Sequence, residues 1–156
     1  MRGTTHPSRR TLRGVAAVEL GLMMAPLLAL TFGVVEYGRA IYTYNALDKS
    51  ARDAVRHLTS TVPTNLDPKA EARNLAVYGN VEGTGAPLAP GLTTSRIDIC
   101  DAVSCPATHA SVSTGTGAVN LVTVRITGYT YNSIVTYVAP ATLNFNDISV
   151  TMRSHL

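Results

Sequence analysis

The sequence predicts an α+β protein in which a long N-terminal helix, first transmembrane and then amphipathic, packs on a small antiparallel sheet. Three observations lead to this fold class. An uncharged apolar run extends from Leu20 to Val35. A pattern with helical spacing continues from Glu36 to Leu58. Short segments in which apolar and polar residues alternate, as is typical of strands, follow towards the C-terminus.

The first element is the apolar helix with the basic residues before it. Together with Val15 to Val18, the run ending at Val35 reaches the ~20 residues that a bilayer-crossing helix needs. The positive-inside rule predicts a single pass with the N-terminus in the cytoplasm and the C-terminus outside. It rests on basic residues that precede the run with no acid among them: Arg2, Arg9, Arg10 and Arg13.

These features divide the chain into four parts. We expect a basic leader peptide at 1–14, a transmembrane helix at 15–35, an amphipathic extension at 36–60 and a small extracytoplasmic α+β domain at 61–156. Without its four leader arginines the chain keeps nine of its thirteen basic residues against ten acidic ones. The exported part is therefore nearly neutral, and the basic pI is no sign of nucleic-acid binding.

Two ordinary export signals compete for the same leader. A plain signal anchor without processing fits the long apolar run, since no small-x-small cleavage site follows it. The string from Ser8 to Arg13 also looks like a twin-arginine signal. Either would make the protein a membrane-anchored extracytoplasmic binding domain that is not part of a filament.

Glu19 is the unusual residue of the apolar helix. An ionised carboxylate costs on the order of 2.5 to 3.5 kcal/mol at mid-membrane, and less near the interface. Glu19 could reach the head groups, or favour the positive end of the helix. Alternatively, cleavage after Gly14 creates an amine at Val15, and Glu19 is the counter-charge for such an amine, including that of a neighbouring subunit. Pro26 should bend the helix, because it removes one backbone hydrogen bond.

The extension has one apolar face, formed by Tyr37, Ile41, Tyr44, Leu47, Ala51, Val55 and Leu58. We expect Tyr37 in an interfacial aromatic belt and Tyr44 packed against the exported domain. Glu36 and Arg39 are three residues apart and could pair at the surface. The helix should stop near Ser60, because Pro63 disfavours helix at Val62.

The exported domain begins with a short helix. Asp67 is its predicted N-cap, Pro68 its first residue and Gly79 its end. A loop should span 81–93, and strands are predicted around Ile97 and Ile99, around Val122, Val124 and Ile126, and around Ile148, Val150 and Met152. Each strand has one apolar face, so an antiparallel sheet should pack on the helix.

Cys100 and Cys105 are the two cysteines of the chain. We expect a disulfide that closes a loop at a strand edge. A zinc site is the alternative, but it would need two more ligands, and His109 with Asp98 or Asp101 has no recognised spacing. No metal and no cofactor are therefore expected.

Motifs of catalysis are lacking from the sequence. It contains no G-x-S-x-G, no P-loop and no His-Glu-x-x-His, and its histidines are scattered. The stretch from Ala110 to Gly117 is interpreted as a flexible exposed loop. We expect neither an enzyme nor a small-molecule substrate.

The N-terminal residues resemble the TadE-like family of minor pseudopilins, which belong to the tight-adherence (Tad, or Flp) type IV pilus machinery. The resemblance lies in Gly14 followed by Val-Ala-Ala-Val-Glu, in the apolar helix with its early Pro26, and in the segment from Phe32 to Arg39. It continues through Asn45–Leu47 and Ala51–Arg56 and returns at Val150–Arg153. Leu20 departs from the aromatic residue that processed members typically carry there.

The resemblance implies a pilin-like, single-pass subunit of the inner membrane with its C-terminal domain in the periplasm. A prepilin peptidase would cleave after Gly14, leaving Val15 as the new N-terminus and Glu19 in the role of the family's acid. The implied partners are the major Flp pilin, other pseudopilins or Tad platform proteins. The implied mechanism is helix-helix association in the membrane during pilus assembly.

Overall fold

The computed structural model describes residues 9–60 and 67–154, with side chains from Gly14 onward. Residues 1–8 of the predicted leader, the residues from Thr61 to Pro63 at the predicted helix stop and the C-terminal residues 155–156 lie outside the described part. The elements are, in order, α1 (Arg9–Ser60), α2 (Pro68–Tyr78), β1 (Ile97–Cys100), α3 (Pro106–His109), β2 (Val112–Ser113), β3 (Ala118–Ile126), β4 (Thr130–Asn132), β5 (Thr142–Asn144) and β6 (Ile148–Ser154). A long N-terminal helix followed by an antiparallel sheet confirms the predicted α+β class.

The described residues form two compact units. The first unit comprises α1 up to Gly38 together with Ser133–Ala141, the connection between β4 and β5. Its buried side chains, among the residues described, are Glu36 and Ala139. A unit with so little buried apolar surface has almost no core of its own, and its large apolar side chains face outward.

The second unit contains the rest of α1, and it buries the predicted apolar face of that helix. Leu47, Ala51 and Val55 are fully buried, and Leu58 packs against the same core. The core also includes side chains of α2 and of the sheet: Ala72, Ala76, Val77, Ile97, Ile99, Val122, Val124, Ile126 and Ile148. The predicted contact between the extension and the sheet is confirmed.

Three residues of the predicted face are exposed: Tyr37 at 50%, Tyr44 at 43% and, most of all, Ile41. Its side chain is 62% exposed, whereas the neighbouring Ala40 is buried in the core. Ala40 lies seven residues before Leu47, which is close to two helical turns. The buried stripe therefore reaches the start of the second unit through Ala40, and Ile41 lies beside it.

The sheet of the second unit is built around β3. Strand β1 pairs with it antiparallel from Ile97↔Ile126 to Cys100↔Thr123, and β6 pairs with it from Asn120↔Ser154 to Ile126↔Ile148. The three predicted strands are confirmed, and their apolar positions face the core while Asp98 and Arg125 are exposed. This register follows from the alternation, because shifting a strand by one residue would turn its apolar side chains to solvent.

Helix α2 has the predicted ends. The Asp67 carboxylate accepts a hydrogen bond from the Lys69 amide at 3.0 Å, Pro68 is the first helical residue, and Gly79 closes the helix with φ of 76°. That left-handed conformation strains residues that carry a Cβ and suits glycine. No helix or strand occurs in the predicted loop at 81–93.

Short strands occur in a stretch predicted as loop and in a stretch for which no prediction was made from the sequence. Val112 and Ser113 form β2 and pair with Val119 and Ala118 of β3, so the stretch interpreted as a flexible loop contains a small hairpin. Strands β4 and β5 pair with each other in a separate ribbon. Strands of two or three residues are too short for an alternating pattern to reveal.

Candidate functional site

The predicted assembly residues lie on the first part of α1. Gly14, Val15 and Glu19 are all exposed on the helix surface. Val15 and Glu19 are four residues apart, so they share one helix face about 6 Å apart along the axis. Glu19 is thus exposed on the same helix face as Val15, and its pairing role stays a prediction.

The apolar helix around Glu19 exposes large hydrophobic side chains on all sides. They are Val15, Val18, Leu20, Leu22, Met23, Met24, Leu27, Leu28, Leu30, Phe32, Val34 and Val35. Within the described part of the chain, one helix is long and apolar enough to cross a membrane, and it is this one. A helix that is hydrophobic all round needs apolar surroundings, so the segment is suited to be a membrane anchor.

Pro26 lies inside this helix. α1 is continuous from Arg9 to Ser60, and Pro26 does not interrupt it. Thr31, five residues further on, donates its hydroxyl to the carbonyl of Leu27 at 2.8 Å. The polar hydroxyl is thus satisfied within the helix itself, which lowers its cost in an apolar environment.

Glu36 is buried in the first unit, in contrast to the surface position predicted from its spacing to Arg39. Its side chain is 2% exposed, and its Oε1 accepts a hydrogen bond from the backbone amide of Ile134 at 3.1 Å. A buried acid is costly unless it is hydrogen-bonded. Glu36 thus ties the end of the apolar run to the connection between β4 and β5.

Sequence reasoning missed this role of Glu36, although one signal was available. Glu36 lies four residues before Ala40 and eleven before Leu47, at positions that share the buried stripe of the helix. An acid on a buried stripe needs a partner inside the protein. One partner is the backbone amide of Ile134, far along the chain, which no local pattern could indicate.

Phe145 is the centre of an aromatic cluster in the second unit. The ring centroids of Tyr44 and Tyr129 each lie 5.6 Å from that of Phe145, and the Tyr131 ring stacks on it at 6.1 Å. The guanidinium of Arg39 lies 5.7 Å from the centroid of the Tyr131 ring. Such contacts add about 0.5 to 1.5 kcal/mol each beyond burial. The predicted packing of Tyr44 is confirmed.

The loop after β1 is closed by a disulfide between Cys100 and Cys105, as the sequence analysis predicted. Inside it, Asp101 accepts hydrogen bonds from the Ser104 hydroxyl at 2.6 Å and the Ser104 amide at 2.7 Å. The ammonium of Lys69, in the first turn of α2, lies 2.8 Å from the other carboxylate oxygen. The disulfide loop is thereby joined to α2.

These contacts shift the ionisation of Asp101. Partial burial disfavours its charged form, but the hydrogen bonds from Lys69 and Ser104 outweigh burial and hold the pKa of the carboxyl well below its ordinary value. Asp101 is therefore ionised at neutral pH. Its two carboxylate oxygens already bind Ser104 and Lys69 of the same chain.

His109 lies beside the disulfide, where a metal site was the alternative. Its ligand nitrogens and the two sulfurs lie within 4.8 Å of one another. Both sulfurs are used in the disulfide, and a metal would bind thiolates. His109 instead contacts the hydroxyls of Thr108 and Thr123, each at 2.7 Å. His109 therefore joins the disulfide loop to β3, and this arrangement fits a structural role better than metal binding.

Together these features define a class of protein: one N-terminal apolar helix suited to anchor a membrane protein, followed by a small α+β domain with one disulfide. Residues 14–56 match the family model described as TadE-like protein. The predicted resemblance to the TadE-like family is thereby confirmed over that segment, which begins at Gly14 and covers most of α1. Comparisons with curated proteins and with solved structures gave no match.

The match supports involvement of the chain in a Tad pilus system. TadE-like pilus proteins are structural proteins and not enzymes. The matched segment contains Gly14, Val15, Glu19 and Pro26, while the α+β domain from Asp67 onward lies outside it.

Proposed function

We propose that this protein is a minor pseudopilin or assembly subunit of a Tad pilus, anchored in the inner membrane by residues 15–35. The observation that carries the proposal is the family match from Gly14 to Arg56 on a helix whose apolar side chains are exposed on all sides. In the proposed topology residues 1–14 are cytoplasmic, and the domain at 61–156 is periplasmic. Its partners are then the major Flp pilin, other pseudopilins or Tad platform proteins.

The proposed mechanism joins Gly14 and Glu19. A prepilin peptidase cleaves after Gly14, and the new amine at Val15 pairs with Glu19 of a neighbouring subunit. Pairing lowers the cost of carrying each charge in an apolar environment, because opposite charges attract strongly where the dielectric constant is low. The exposed position of Glu19 supports a partner outside its own chain. Pro26 would bend the helix to fit neighbouring helices.

Spacing along the helix supports association through this segment. Small residues recur at every fourth position, where they let helix backbones approach closely in a membrane. They are Ala17, Gly21, Ala25, Ala29 and Gly33. A Cβ added to Gly21 or Gly33 would meet no atom of this chain within 4 Å, so contacts within the chain do not require these glycines.

The test combines the mature N-terminus with one substitution. Mass spectrometry of the protein from its own cell should find Val15 as the first residue, and Glu19→Gln should abolish or strongly reduce piliation while the protein stays in the alkali-resistant membrane fraction. The matched control is Thr31→Val, which removes a polar group that bonds within its own helix. We expect that control to assemble pili normally.

Two results would contradict the proposal. An intact leader would favour the plain signal anchor or twin-arginine export of a binding domain. Normal piliation by the Glu19→Gln variant would remove the pairing mechanism, even if cleavage at Gly14 were found.

A further inference from the structure

We propose that the segment Ser133–Ala141 is a second membrane contact, in which Ile134 and Tyr137 insert into the interfacial layer of the bilayer that α1 enters. We refer to this segment as the interface loop. It would give the protein a lipid-binding surface in addition to its anchor. The inference rests on the membrane anchor of the proposed function.

The interface loop is held to α1 where the apolar run ends. The amide of Ile134 donates to Oε1 of Glu36 at 3.1 Å, and Glu36 directly follows Val35, the last residue of the run. Ala139, on the other side of the loop, is also buried. Ile134 and Ala139 belong to the same compact unit as the apolar helix. The loop is therefore held beside the end of the apolar run, where the membrane boundary is expected.

The loop carries no charge and exposes its largest side chains. Neither it nor its flanks from Ile126 to Asn146 contain an acidic or basic residue. Within it, Tyr137 is 99% exposed and Ile134 is 71% exposed. An exposed Ile side chain loses the favourable free energy that burial of its apolar surface would bring. An apolar environment beside α1 would recover this free energy.

The residue types favour lipid over a protein groove. Tyrosine is enriched at membrane interfaces, where its ring lies among apolar groups and its hydroxyl stays hydrated. The neighbouring helix residues Val34, Val35 and Tyr37 are exposed as well, so loop and helix offer one continuous apolar surface at the boundary. A bilayer that surrounds the helix would meet both.

The backbone of the loop is compatible with the shallow interface but not with the hydrocarbon core. The amide of Ser133 donates to the carbonyl of Ala141 at 2.9 Å, and the amide of Ala139 to that of Val135 at 3.3 Å. Polar backbone groups outside regular structure need water, which the interface supplies and the core does not. Shallow insertion of the side chains is the expected depth.

Tryptophan fluorescence can test this contact, because the natural chain contains no Trp. Full-length Tyr137→Trp is reconstituted into phosphatidylcholine and phosphatidylglycerol vesicles with lipids brominated near the head group. We expect the Trp emission to shift to the blue and to be quenched by the brominated lipids, because the side chain would lie in the interfacial layer. The control Val103→Trp is 86% exposed in the disulfide loop of the second unit and should be quenched by aqueous iodide instead.

A third probe separates failure of this inference from failure of the anchor. The variant Leu28→Trp places a tryptophan in the apolar helix, and lipids brominated on their acyl chains should quench its fluorescence. If Trp at 28 is quenched while Trp at 137 is not, the loop proposal is wrong and the anchor stands. If neither is quenched, both are wrong. A blue shift at 137 without quenching by bromine would indicate a protein contact and overturn the lipid assignment.

The role of Glu36 can be tested in the same system. Glu36→Ala in the Tyr137→Trp background removes the acceptor of the Ile134 amide and should reduce quenching by brominated lipid. Glu36→Gln retains a side-chain carbonyl and should restore most of it. Equal quenching in all three proteins would show that Glu36 does not position the loop, and would contradict that step.

Discussion

At the scale of single residues, the acids of this protein differ in what surrounds them. Glu36 is buried and bonded to the Ile134 amide, Asp101 is fixed by Lys69 and Ser104, and Glu19 is exposed on an apolar helix. The first two have their partners within the chain. An external partner for Glu19 is part of the proposed mechanism.

Asp101 should contribute stability that depends on pH. Its folded pKa is depressed, so the contribution is fully present above the unfolded pKa of about 3.9 and is lost as pH falls below that value. At pH 7 we expect Asp101→Asn to lower the free energy of unfolding by about 1 kcal/mol. The difference in free energy of unfolding between this variant and the natural protein should be smaller at acidic pH. Thermal unfolding of the full chain in detergent at several pH values measures both.

Asp147→Asn is the control for that measurement, because Asp147 is an exposed residue just before β6. It should leave the melting temperature nearly unchanged at neutral pH. A loss of stability in Asp101→Asn that is the same at pH 7 and at low pH would contradict the electrostatic explanation.

Sequence reasoning predicted the contacts of single side chains less well than it predicted helices and strands. Asp101 and Ser104 are close in the sequence, but Lys69 is brought to them by the fold of α2 onto the disulfide loop. Likewise, the burial of Glu36 depends on Ile134. Local spacing gives candidate pairs along one helix, whereas the contacts of Asp101 with Lys69 and of Glu36 with Ile134 join residues far apart in the sequence.

At the scale of elements, α1 combines two environments in one uninterrupted helix. Its first part exposes apolar side chains on all sides, and its second part buries one stripe in the core. Both patterns persist over several turns, so the sequence predicted them well. The strands β4 and β5 are three residues long, and their pairing depends on contacts with each other, so they were missed.

The small residues of α1 should control its association with other helices. Gly21→Leu adds a bulky side chain to the stripe without a clash inside the chain, and we expect it to weaken helix association on the order of tenfold. Leu22→Ala is the control one position away. Energy transfer between labelled proteins in vesicles measures the affinity. Equal affinity of the two variants would show that association does not use the stripe.

At the scale of the whole molecule, the described residues form a helix-based unit with almost no core and a unit with a continuous core. The core joins α1, α2 and the sheet, so the second unit resembles an ordinary small α+β domain. The first unit exposes its apolar side chains and is suited to lipid. The predicted division into an anchor and an exported domain remains a prediction.

The proposed topology can be checked with one reporter enzyme placed at two positions of the chain. A phosphatase that is active only outside the cytoplasm should be active after Leu156. The same enzyme fused after Arg13, before the apolar helix, should be inactive. The positive-inside rule gives this orientation, because the four arginines of the leader stay in the cytoplasm. The reverse pattern of activity would contradict the proposed orientation.

The hydrogen bond between Glu36 and Ile134 also has a consequence for the order of biogenesis. The two residues are 98 positions apart, so at about 5 to 20 residues per second the ribosome makes Ile134 roughly 5 to 20 s after Glu36. The apolar helix can therefore enter the insertion machinery well before the Glu36 carboxylate can accept its hydrogen bond from the Ile134 amide. Closure of the hairpin connection onto Glu36 would mark a chain that has been synthesised at least as far as Ile134.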